Sequence, residues 1–242
     1  MAGSRQPDRL GWRGTITRLR AAVGQIAEPA VTFSDWALTA ECIGCAALLA
    51  RQPLHNPLRG AGIAFFGATG TAALLGGIVH AFFPSDRPHR LSDPLWAATL
   101  LTLGGAGAAA WSLAARVVMP PALVQPITGF GLAGYGIYGA VVLGGQRNFA
   151  VAIAGYLPAN LFLFGAFAQR LVQRGERAAR TALAGIALTL LASVVQQLRI
   201  GVHPRYCDHN ALYHLLMGVA LPLFCGGVRG VGLALAREEE GR

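Results

Sequence analysis

Between Arg59 and Asp86 the chain carries no charged side chain, and the same holds from Asp93 to Arg116, Arg116 to Arg147, Arg147 to Arg170 and Arg180 to Arg199. Each gap is about 18 residues or longer, enough for an α-helix to cross the hydrocarbon of a bilayer. A soluble core cannot hide so many such runs. Charged residues make up only 13% of the chain, against about a quarter in soluble domains. The chain therefore reads as an all-α integral membrane protein, multi-pass, with a bacterial inner membrane as the expected location.

The pattern predicts a seven-transmembrane-helix bundle, with spans over 34–50, 60–83, 93–116, 121–144, 148–169, 180–198 and 209–229. Pro53, Pro57, Pro84, Pro88, Pro120, Pro121 and Pro204 fall in or beside the connections, where proline interrupts helices at least cost. Spans two to four are rich in Gly and Ala, which lets helices approach closely in lipid. One membrane domain over 34–236 is expected, preceded by a basic tail, 1–33, and followed by a short charged tail, 237–242.

The first 33 residues hold five Arg but no apolar core of the roughly 7–15 residues that a secretory signal needs. Leu10, Ile16, Leu19, Val23 and Ile26 recur at helical spacing among Arg13, Arg18 and Arg20, as in a helix lying on an anionic membrane surface. All the positive charge is arginine, and no basic run with interleaved aromatics appears. Membrane topology and membrane lipid, rather than nucleic acid, are its expected partners. Ten Arg fall on each side of a seven-span layout, so charge alone fixes neither orientation; the N-terminal segment favours a cytoplasmic N-terminus. Oligomeric state is not legible.

The layout brings unusual polar residues to one face. His80 ends span two, Asp93 opens span three, and "CDHNALYH" puts Cys207, Asp208, His209, Asn210 and His214 at the start of span seven. Of six histidines only His55 lies on the other face. Ionisable groups at membrane depth are costly and usually face a cavity or a partner. Neutral imidazole is the commonest metal ligand, and three protein ligands plus a water make an open zinc site. His80, His209 and His214 are the candidate metal ligands, and Asp93 the candidate base that orients or deprotonates the water. His209 and His214 are about 140° apart on an ideal helix, so His209 joins only if the helix begins there. Asp208 is placed to cap that helix. Asp208, Asn210, Cys207 and Glu41, the last well inside span one, are candidates for the surrounding shell. Asp35 is expected at the mouth of span one. Asn160 and the Gln196–Gln197 pair are expected to hydrogen-bond between helices. Cys42, Cys45 and Cys225 read as small packing residues.

This pattern resembles the seven-span hydrolase superfamily that includes the alkaline ceramidases and the adiponectin and progestin receptors. There a Ser-x-x-x-His ends span two, an Asp begins span three, and a His-x-x-x-His opens span seven. Here "GGIVH" supplies His80, "LSDPLW" Asp93 and "NALYH" His214. Two positions depart: Gly76 stands where the Ser would be, and Asn210 stands where the first His of the pair would be, with His209 displaced by one. The resemblance implies zinc and hydrolysis of a lipid amide or ester by metal-activated water. A membrane transporter or sensor, with helices broken at Pro126 and Pro158, is the alternative. A haem protein with paired axial histidines is a third.

Overall fold

A computed structural model describes residues 26–83, 89–203 and 206–241. The amphipathic segment read from Leu10 to Ile26 lies outside them except for Ile26, and Pro84, Arg87, Pro88, Pro204 and Arg205 lie outside them too. The described residues form seven helices: α1 (Pro29–Ala50), α2 (Arg59–Phe82), α3 (Ser92–Val118), α4 (Pro121–Leu143), α5 (Phe149–Arg174), α6 (Arg177–Gln197) and α7 (His209–Glu240). All seven are long and apolar enough to cross a membrane. The architecture is an all-α seven-helix bundle of multi-pass membrane type.

Local chemistry sets the ends. Pro29 and Pro121 occupy the first helical position, where a missing N–H costs nothing. The Asn148 side chain caps α5 by accepting from the Val151 N–H, and α5 stops at Gly175, which takes the left-handed φ of 64°. Helix α5 runs on to Arg174 rather than 169, and two further ends differ from expectation by more than a turn. Helix α1 begins at Pro29 rather than 34, so Ser34 and Asp35 lie more than a turn inside it. Helix α7 runs on to Glu240, so most of the expected tail is helical. The reason for the second lies in Arg170 of α5, whose guanidinium is buried and donates to Glu238 at 2.6 Å and to Glu176 at 2.9 Å. This clamp joins α5, the α5–α6 turn and the end of α7. Pro126, Pro158 and Pro222 all sit within helices that continue through them.

Neighbouring helices pack in the order α1–α2–α3–α5–α6–α7, and α1 meets α7 to close a six-membered ring. Helix α4 lies outside it, packed chiefly on α3 and pinned by the Tyr138 hydroxyl, which donates to the Leu100 carbonyl at 2.9 Å. Glycines let the ring close tightly. A Cβ at Gly70 would stand 2.8 Å from Cys42, and one at Gly77 2.6 Å from the Trp36 ring, so α1 rests directly on the backbone of α2. Gly185, Gly227 and Gly230 do the same between α6 and α7. Phe66, Phe167 and Phe224 pack together within the ring, and space is left at one end of it.

Candidate functional site

That space is a cavity of about 300 Å³ at the end of the bundle where α2 and α6 finish and α1, α3, α5 and α7 begin. Every ring helix contributes to its wall and α4 does not. Asp35, His80, Gln196, His209, Asn210 and His214 supply the polar wall, and Trp96, Leu103, Phe149, Met217 and Leu221 the apolar one.

His214 is held from both sides. Its Nδ1 lies 3.0 Å from the Ser34 hydroxyl and its Nε2 3.2 Å from Asp35 Oδ1. Ser34 also contacts the Val31 carbonyl at 2.8 Å. A carbonyl only accepts, so Ser34 donates there and must accept from His214 Nδ1–H. The Nε2–Asp35 contact then shares one proton, carried either by the ring or by the carboxyl. Serine, histidine and aspartate here do not form a nucleophilic triad. The serine proton is committed to its own helix, and Ser34 is not part of the cavity wall.

Asp35 stands deeper than expected, 4% exposed rather than at a mouth. Gly76 explains how it fits. A Cβ there would lie 3.3 Å from Asp35 Oδ2, so the space that a side chain at position 76 would need is taken by an aspartate from α1. Nothing in the spacing of the motif signals this, because the two residues lie on different helices.

His80 donates its Nδ1–H to Glu28 Oε2 at 2.6 Å. Glu28 immediately precedes α1, and this hydrogen bond holds its carboxyl below the ordinary carboxylate range. The charges of His80 and His209 act in the same direction, and desolvation works against them. Glu28 escaped the sequence reading because it fell within the presumed tail.

The other expected residues divide. His209 is the first residue of α7 and reaches the cavity together with His214. Asp208 caps α7, its carboxylate accepting from the Ala211 N–H at 2.8 Å. Asn210 lines the cavity and accepts from Gln196 Nε2 at 3.2 Å, an α6–α7 bond. Cys207 pairs through its backbone with His203 in the preceding loop, away from the cavity. Asp93 is not brought to the site. It lies on the outer side of α3, largely exposed, in an ion pair with Arg147 of the α4–α5 turn. The same turn receives the Trp96 indole N–H at its carbonyl. Glu41 sits beside Gly218 between α1 and α7, with Oε2 buried and without a hydrogen-bond partner among the described residues. Asn160 makes no interhelical bond among the described residues and faces a second chamber.

Three imidazoles and a carboxylate are the donor types that zinc takes, and His80, braced by Glu28, has the orientation of an imidazole with its other nitrogen free. As arranged, the set does not fit a three-histidine ion. Both ring nitrogens of His214 bond to protein, and no three His, Cys, Asp or Glu donors among the described residues are gathered to share one.

A family of unknown function, DUF6962, matches residues 30–232. The chain belongs to this family. The DUF6962 match takes in Asp35, His80, His209 and His214, while Glu28 precedes it and Glu238 follows it. No curated protein and no solved structure matches the chain.

Proposed function

We propose that this protein is a membrane-embedded hydrolase that draws an amphiphile from the bilayer and cleaves an amide or ester at its polar end. The observation that carries the reading is the grading of the cavity. Acid–base groups stand at the end near the membrane surface, and apolar side chains continue inward from them. A lipid-like substrate would lie along that gradient, chain inward and carbonyl among the histidines. The Asp35–His214 pair already holds a shared proton, so it can deliver that proton to the leaving group as the acyl bond breaks and be restored by the proton the attacking water loses. His80, His209 and Asn210 offer hydrogen bonds to the carbonyl oxygen as it gains charge. The reading agrees with the resemblance to the seven-span hydrolases in layout and reaction, and gives the proton-handling role to Asp35 instead of Asp93. No step runs through a metal.

The test is release of fatty acid from a panel of acyl amides and esters by protein in detergent, with His214→Ala and Asp93→Asn compared. Hydrolysis lost in H214A and kept in D93N is expected. Equal loss in both would return the base to Asp93. No hydrolysis of any member, with amphiphiles still bound, would make this a carrier or sensor. Elemental analysis of chelator-free protein adds a second arm: near-stoichiometric zinc would overturn the shared proton, since His214 would have to release a partner to bind it.

A further inference from the structure

Beyond the cavity lies a second chamber of about 40 Å³, and the two share Thr69, Leu103, Tyr213, Met217 and Leu221. They are therefore adjoining spaces, and Phe65, Leu163 and Phe224 line the second. Nearly every polar group around the inner chamber is already matched within the protein. Thr69 donates to the Phe65 carbonyl at 2.8 Å and Thr189 to the Gly185 carbonyl at 3.1 Å. Ser193 donates to the Thr189 carbonyl at 3.0 Å, so the 2.8 Å contact between Ser193 and Tyr156 is donated by the tyrosine. The Tyr213 hydroxyl adjoins that of Tyr156.

Asn160 is the exception. It is 8% exposed and lines the chamber, and no hydrogen bond joins its amide to the protein among the described residues. A buried carboxamide offers two donors and an acceptor, and leaving them unmet costs free energy. No charged side chain lines the chamber, so an ionic group there would be uncompensated. A saturated alkyl chain would seal the amide away from any partner.

We infer that Asn160 is a ligand-binding residue that selects amphiphiles carrying a neutral hydrogen-bonding group, a hydroxyl or carbonyl, partway along the chain. This rests on the proposal that the cavity takes an amphiphile, but not on whether that amphiphile is cleaved. The rival occupant is water, since the chamber exceeds the roughly 10–15 Å³ that one water requires.

The test measures binding, not turnover, in lipid nanodiscs. The probes are N-acyl amides of one chain length, one unsubstituted and the others bearing a single hydroxyl at successive carbons. The wild type should prefer one hydroxyl position over the unsubstituted chain by about tenfold in Kd, or ~1.4 kcal/mol. Asn160→Leu, close in volume, should erase that preference and bind the plain chain at least as well. No preference at any position in the wild type, or the same preference in N160L, would overturn the inference and leave Asn160 to water. A preference without hydrolysis would retain this inference and remove the hydrolase reading. Binding of no amide at all would overturn the inference and confine the hydrolase reading to esters. The wild-type comparison needs no variant to fold.

Discussion

Replacing Asp35 by asparagine separates the proton it shares with His214 from the space it fills. Ser34 fixes the His214 proton on Nδ1, so Nε2 can only accept when the ring is neutral. An asparagine at 35 would donate its amide N–H to Nε2 across the same 3.2 Å. A contact in which the proton can move between the two groups becomes one in which it is fixed on the amide, a loss of about 1 kcal/mol. Asp35→Leu offers no donor, leaving the Nε2 of an 11%-exposed imidazole unmatched, a cost of about 1–3 kcal/mol. For a chain of this size each kcal/mol moves Tm by roughly 2–4 °C. Thermal unfolding in detergent, followed by tryptophan fluorescence, should then place D35N a few degrees below wild type and D35L lower again. Hydrolysis should fall in both by about 10²–10⁴-fold, the range for a positioned acid–base group. If D35N melts as low as D35L, the hydrogen-bond assignment at His214 is wrong. If D35N keeps full activity, the pair does not move the proton.

Arg170→Met should destabilise by about 3–5 kcal/mol, because Glu176 and Glu238 are left facing a buried apolar side chain; adding E176Q and E238Q should recover much of the loss in the same melt. Gly77→Ala should cost about 1–3 kcal/mol, since its Cβ would meet the Trp36 ring at 2.6 Å, whereas Gly134→Ala, with nothing within 4 Å, should melt like wild type. The Glu28–His80 contact gives a pH dependence of definite sign. The Glu28 pKa is lowered from 4.5 on folding, so its contribution to stability is present above pH 4.5 and is lost as pH falls through the lowered value. Melts from pH 7 to pH 3 should show that loss in the wild type and a flatter profile in Glu28→Gln.

Spans, their number and their alternation were legible because charge-free runs report membrane crossing directly, whatever packs against them. Alternation also put His80, His209 and His214 at one end of the bundle, and the helix start at His209, capped by Asp208, brought the last two into one cavity. Composition and spacing are silent on lateral order and on rotation about each helix axis. Those decided the rest. Asp93 has the right depth but faces outward to Arg147, while Asp35 and Glu28, read as mouth and tail, face His214 and His80. Gly76 looked like a lost serine until α1 was found occupying its place with a carboxylate. Asn160 looked like an interhelical tie until its turn of α5 was found facing open space. Depth along a helix is written in one stretch of chain, whereas azimuth and neighbour are set by glycine-lined contacts between helices far apart in sequence, and only the closed ring specifies them.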